Sequence, residues 1–255
     1  MARWESPDGV GIDYEEAGQG PGVLLLHGFA SSARVNWVRP GIVAALAAAG
    51  LRAVAYDARG HGSSGAPHDV AFYSGHAMVA DARGLADHLG FETFAVVGYS
   101  MGAQVAAWVV AEDARVRRAV LGGIGSRLLL ARPGERPYPA EEIARALEAD
   151  RPPPDSGPTP LAFRAFADAT GADRLALAAL QRARAVEGAP DLALLSVPVL
   201  VVAGEDDTLV GDPAALAEAL PDGRLLRVPG DHLSAVLQPA FVTAVVDFLR
   251  TDPPS

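Results

Sequence analysis

The 255-residue chain contains no cysteine, and all 21 of its basic residues are arginine, so it contains no lysine either. The first absence excludes a thiol nucleophile, a disulfide framework, a thiolate zinc site and a cysteine-ligated iron–sulfur cluster. The second excludes Schiff-base chemistry, a pyridoxal phosphate anchor and a P-loop lysine. Long apolar runs are also missing, since none approaches the roughly 18 residues that a membrane span requires. Positive charge is scarce. A formal net charge of −10 argues against the basic footprint of a nucleic-acid binder. Nucleophilic chemistry must therefore come from Ser, Thr, Asp, Glu, His or Tyr.

Apolar material is plentiful, at 50% of the chain, which is ample for a large core. Residues 1–9 lack the apolar stretch of a signal peptide, so a cytoplasmic location is expected, and the missing cysteines agree with it. Residues 2–6 and 11–17 read as an N-terminal hairpin around Asp8-Gly9. Short apolar runs at 23–26, 51–56, 94–97, 118–121, 197–203 and 224–228 read as strands. Helical patterns at 40–49, 76–89, 102–112, 213–220 and 239–249 alternate with them. Such alternation predicts a mostly parallel central sheet flanked by helices, with chemistry at the carboxyl ends of the strands.

The alternation breaks once. Residues 126–196 show no strand pattern, two helical patterns (140–149 and 161–186) and Pro-rich loops; eight of the 20 prolines fall in 131–160. Strands resume afterwards, so 126–196 is read as a helical cap insertion into a core of 1–125 and 197–255. Nine Arg face ten Asp and Glu in the insertion, against 12 and 21 in the remainder, so the core carries nearly all of the net charge.

Gly98-Tyr99-Ser100-Met101-Gly102 lies between a predicted strand and a predicted helix. A serine on so sharp a turn sits above the sheet at a helix N-terminus, and its neighbours must be small. A serine hydroxyl needs a base. Of the six histidines, His232 follows the last predicted strand and so falls on the expected side of the sheet. The base needs a carboxylate to orient it. Strand 197–203 ends in Gly204-Glu205-Asp206-Asp207, and Asp207 is taken as the orienting acid with Asp206 as its alternative. Oxyanion donors are expected from the backbone N–H groups of Met101 and Phe29, the latter in His27-Gly28-Phe29 after the first core strand. His27 itself is assigned to structure. Trp37 and Tyr99 are candidates for the wall of an apolar substrate pocket. No H-E-x-x-H, histidine cluster or EF-hand pattern appears, so neither a metal nor another cofactor is expected.

Taken together, His27-Gly28-Phe29, Asp57 to Ser64, the Ser100 turn, Gly204 to Asp207 and Gly230-Asp231-His232 resemble the α/β-hydrolase superfamily in order and kind. The resemblance covers roughly 10–125 and 195–250, and it lies nearest the serine esterase and cofactor-free haloperoxidase-like branch. It implies an α/β-hydrolase fold, with Ser100, His232 and Asp207 as a triad that cleaves carboxylic esters of small to medium apolar acids through an acyl-enzyme. Dehalogenase and epoxide-hydrolase members carry Asp where this chain has Ser100. Two further readings stand beside ester hydrolysis: C–C bond hydrolysis of a diketone-type substrate, and a non-enzymatic small-molecule receptor on the same scaffold. The partner expected is a small-molecule ester, with no nucleic acid and no membrane.

Overall fold

The computed structural model describes residues 1–129, 139–183 and 188–250. Eight strands form one sheet in the order β1-β2-β4-β3-β5-β6-β7-β8. β1 (Ala2–Glu5) and β2 (Gly11–Ala17) make the antiparallel hairpin, and β2 joins β4 (Arg52–Tyr56) antiparallel. The pairings among β3 (Gly22–Leu26), β4, β5 (Phe94–Tyr99), β6 (Val116–Gly122), β7 (Val199–Gly204) and β8 (Gly223–Val228) are all parallel.

The inner apolar runs are strands with both faces covered, whereas β8 at the sheet edge buries only Val228. In β3, Val23 and Leu25 enter one core cluster while Leu24 and Leu26 enter the other. Alternation along the strand sends successive side chains to opposite faces. Helices α1 (Ile42–Ala48) and α9 (Pro239–Arg250) cover the first face through Ile42, Leu46, Phe241 and Val245. Helices α2 (Ala77–His88), α3 (Met101–Glu112) and α8 (Pro213–Ala219) cover the second through Met78, Leu85, Val105 and Leu216. Each such side chain contributes about 1.5–3 kcal/mol by leaving water. A buried ion cluster ties the 57–64 loop to this frame. The Arg59 guanidinium donates to Asp81 on α2 at 2.6 and 2.7 Å and to Asp8 in the hairpin turn at 2.8 Å.

Between β6 and β7 the described residues form helices and no strand: α4 (Ser126–Leu129), α5 (Ala140–Glu148), α6 (Pro158–Thr170) and α7 (Arg174–Arg182), followed by a 3₁₀ turn at Leu192–Leu194. The single helical pattern expected at 161–186 is two helices. Gly171 ends α6 at φ 69°, and the Asp173 carboxylate caps α7 by accepting from the Leu175 and Ala176 N–H groups. Residues 184–186 of that pattern, and Pro133 and Pro137 of the Pro-rich stretch, lie outside the described residues. The helix expected at 40–49 begins only at Ile42, because a short π-helix at Arg34–Val38 and a left-handed Gly41 (φ 84°) precede it. No helix among the described residues is long and apolar enough to cross a membrane.

Candidate active site

Ser100 joins β5 to α3 with φ 53° and ψ −111°, outside the regions ordinary residues favour. The chain tolerates this because its neighbours are glycine. A Cβ on Gly98 would lie 2.2 Å from the Gly102 carbonyl oxygen, and one on Gly102 would lie 2.0 Å from that of Leu26. The turn is pinned across the sheet by the Ser100 N–H, which donates to the Gly122 carbonyl at 2.8 Å.

The structure brings Ser100 together with His232 and Asp207. Ser100 Oγ lies 2.9 Å from His232 Nε2, and His232 Nδ1 lies 2.7 Å from Asp207 Oδ2. A carboxylate only accepts, so Nδ1 carries the proton and Nε2 is the acceptor facing the hydroxyl. The Asp207 side chain is fully buried and its other oxygen accepts from the Leu209 N–H at 3.0 Å. Asp206 is exposed, and its N–H donates to the Gly230 carbonyl instead. The strand ends approach closely because Gly204 has no side chain: a Cβ there would lie 2.3 Å from the Gly230 oxygen. Asp231 then folds the 231–234 turn by accepting from the Leu233 and Ser234 N–H groups. Such an array lets the imidazole take the serine proton while the carboxylate steadies the resulting cation.

Tyr99 lines the cavity, and it also holds the His232 turn. Its hydroxyl donates to the His232 carbonyl at 2.8 Å. Burial, with Asp207 and Asp231 nearby, pushes the phenol above its ordinary value and keeps this donor protonated. Gly122 and Gly123 lie flat against the Tyr99 ring, where a Cβ on either would come within 2.8 Å of it. That contact accounts for the bare glycines at the end of β6.

The turn after β3 is held from four directions. Asn36 Oδ1 accepts from the Gly28 N–H at 2.8 Å, and His27 Nδ1 donates to the Gly28 carbonyl at 2.8 Å. His61 Nε2 accepts from the Ala30 N–H at 3.1 Å, and Thr170 Oγ1, at the end of α6, donates to the Ala30 carbonyl at 2.9 Å. Between these fixed peptides the Phe29 N–H makes no hydrogen bond within the described chain, and neither does the Met101 N–H at the start of α3. Gly28 sits beside the serine: a Cβ on it would lie 3.6 Å from Ser100 Cβ.

His27 and His61 are buried and neutral. His27 Nε2 accepts from the Ala58 N–H at 3.0 Å, and His61 Nδ1 donates to the Arg59 carbonyl at 3.0 Å, so both nitrogens of each ring are engaged. Burial lowers His27 to about 4. Burial, together with the neighbouring His27, lowers His61 to about 3.

A cavity of about 90 Å³ opens on Ser100 and His232. Val35, Tyr99, Val236 and Leu237 line it from the sheet side, and Phe163 and Phe166 of α6 from the other. Phe163 stands edge-on to Phe29, with ring centroids 5.4 Å apart. Trp37 does not reach this space. It is fully buried in the core cluster with Ile42 and Leu46, so the pocket expectation for it is corrected to packing. Its neighbour Asn36 faces the cavity instead, because consecutive residues of this π-helical turn point in different directions. Sequence reasoning passed over Asn36, the only asparagine of the chain, and Phe163 and Phe166, whose i, i+3 spacing was the available signal.

Comparison with known proteins agrees with this geometry. The sequence model described as alpha/beta hydrolase fold matches residues 21–156, about half of the chain. An epoxide hydrolase of Caballeronia sordidicola is 38% identical over 96 residues, which span 38% of this chain and 28% of that protein. The chain thus matches only about 28–31% of the length of its first curated relatives. Solved structures match end to end. A hydrolase from Pseudomonas aeruginosa is 27% identical with a TM-score of 0.75, covering 97% of both chains. An esterase from Rhodococcus sp. is 26% identical with a TM-score of 0.75, covering 98% of both. With its sheet order, its serine turn and this match in hand, the chain belongs to the alpha/beta hydrolase fold family.

Proposed function

We propose that this protein is a serine hydrolase that cleaves carboxylic esters of small, largely apolar acids. The observation that carries the reading is the continuous relay from Ser100 Oγ through His232 to Asp207, opening into an apolar cavity. In the first half-reaction Ser100 Oγ attacks the acyl carbon as its proton passes to His232 Nε2. The protonated imidazole then gives that proton to the departing alcohol oxygen, leaving an acyl-serine. In the second half His232 takes a proton from water, the hydroxide attacks the acyl carbon, and the acid departs as Ser100 regains its proton. Phe29 and Met101 supply the two N–H groups that take up charge on the carbonyl oxygen in both halves. The helices between β6 and β7 act as a cap whose Phe163 and Phe166 cover the acyl chain.

The nucleophile and the cavity both narrow the substrate. Serine attack on an epoxide or a carbon–halogen bond would leave an alkyl ether on the enzyme, which water does not cleave at neutral pH. An acyl-serine is an ester and does turn over. The chemistry of Ser100 therefore favours acyl transfer, although a curated relative is named an epoxide hydrolase. The cavity is also smaller than the roughly 150 Å³ apolar void that accommodates benzene, which suits a short acyl chain.

The test is turnover of a 4-nitrophenyl ester series from acetate to octanoate. The wild type should peak at short chains, and Ser100→Ala should lose about 10⁴- to 10⁶-fold in kcat with an unchanged circular dichroism spectrum. Turnover retained by Ser100→Ala, or preferred cleavage of a vinylogous diketone over every ester, would overturn the assignment.

A further inference from the structure

Four buried side-chain polar atoms among the described residues have no hydrogen-bond partner: Ser31 Oγ, Trp37 Nε1, Arg83 Nε and Trp108 Nε1. Only one of these residues, Ser31, lines the candidate active-site cavity. It is 4% exposed, so open solvent does not satisfy its hydroxyl. An orphaned buried hydroxyl costs about 1–3 kcal/mol, and a chain keeps one most readily where something else completes the bond.

The surroundings say what that could be. Asn36 lines the same cavity, and its Oδ1 is already taken by the Gly28 N–H. What Asn36 has left to offer is its amide NH₂, a donor. The remaining wall is apolar apart from Ser100 and His232 of the relay. None of the lining residues is Arg, Asp or Glu, and the chain has no lysine. A charged substituent would thus be buried without a counter-ion.

We infer that Ser31 and Asn36 form a polar subsite that recognises a neutral oxygen, such as an ether, ketone or hydroxyl, carried by the substrate. The preferred substrates are then esters of oxygen-bearing short acids rather than plain alkanoates. This deepens the ester-hydrolase reading and rests on it. The cavity rewards the oxygen because an all-carbon chain leaves the Ser31 hydroxyl unpaired, whereas an ether or carbonyl oxygen accepts its proton.

Isosteric pairs test this: 4-nitrophenyl methoxyacetate against butanoate, and 3-methoxypropanoate against pentanoate. For at least one pair, the oxa-to-carbon ratio of kcat/KM should fall about fivefold on Ser31→Ala, within the range of one neutral hydrogen bond. Taking the ratio between wild type and variant cancels the intrinsic reactivity of each ester. Ser31→Thr, which keeps the hydroxyl, should retain the wild-type ratio and serves if the alanine variant does not fold. Binding of the matched ethyl esters to Ser100→Ala, with and without Ser31→Ala, gives the same comparison without turnover. Absence of turnover of every ester by the wild type would sink the hydrolase reading alone. Equal changes for both members of each pair, in turnover and in binding, would overturn the subsite and reduce Ser31 to a hydrated niche.

Discussion

The two walls of the cavity are built on different principles. On the sheet side the relay and the turns that carry it have fixed partners: Asp207 on His232, Tyr99 on the His232 carbonyl, Asn36 on Gly28, His61 on Ala30. On the α6 side the residues facing the cavity are Phe163 and Phe166, and α6 meets the turn after β3 through an aromatic edge and the Thr170 hydroxyl, while its buried Arg164 donates away from the cavity to the Ala146 and Ala149 carbonyls. Hydrogen bonds have narrow angular wells, while apolar contacts tolerate sliding. The sheet wall is therefore suited to placing reacting atoms, and the helical wall to accepting varied substrate groups.

Substitution can break this contrast. The largest effect is expected at the orienting carboxylate. Asp207→Asn should lower kcat by about 10⁴-fold with the melting temperature nearly unchanged, because the amide can turn its NH₂ toward Nδ1 and favour the wrong tautomer. On a plain alkanoate ester, whose acyl chain offers the Asn36 amide no oxygen, Asn36→Ala should come next, with kcat lower by about 10- to 100-fold and KM nearly constant. It frees the Gly28 peptide and misaims the Phe29 N–H, and losing such a donor outright costs about 10²–10³. A matching rise in KM for that alkanoate ester would instead mark Asn36 as a general packing residue.

Acid should loosen the sheet wall first. His27 and His61 have values of about 4 and about 3 in the folded chain, below the 6.5 of an unfolded histidine. Between these limits the unfolded state binds more protons. Stability is thus fully present above pH 6.5 and declines as pH falls toward 4 and then 3. Urea titrations across that window should show the decline, and His61→Gln should make it shallower by about one proton. A slope unaffected by that substitution would place the acid sensitivity elsewhere. The smallest effect is expected on the helical wall. Phe163→Ala should raise KM about two- to tenfold and leave kcat close to wild type, matching the loss of one edge-to-face pair. A kcat loss as large as that of Asn36→Ala would erase the distinction between the walls.

Much of the fold was legible because its cues are local. Both-face burial makes β3, β5 and β7 continuous apolar runs with glycines at or just past their ends, while β6 carries Arg117 and Arg118 near its start. Ser100, Asp207 and His232 were legible for the same reason, each following a strand at a turn of recognisable composition. What escaped depends on side-chain direction and distant partners. Trp37 and Asn36 are adjacent, yet one packs in the core and the other faces the cavity, a distinction set by the π-helix at Arg34–Val38. The five-residue stretch is too short to show a period. Tyr99 was expected at the pocket, but its bond to a carbonyl 133 residues later has no sequence signature. The break between α6 and α7 was within reach: Gly171 followed by Asp173 is a stop followed by a start.

The backbone of Ser100 has a consequence for thermal adaptation. Its left-handed geometry costs about 1–3 kcal/mol, and glycine would adopt it with less strain. Glycine at this position also enlarges the freedom of the unfolded chain, which returns about 0.4–1 kcal/mol of the gain. Ser100→Gly should therefore melt at a higher temperature than the wild type while being inert. A selection for heat resistance alone would drift toward that silent variant, so any hardening of this protein has to be screened on turnover as well as on survival.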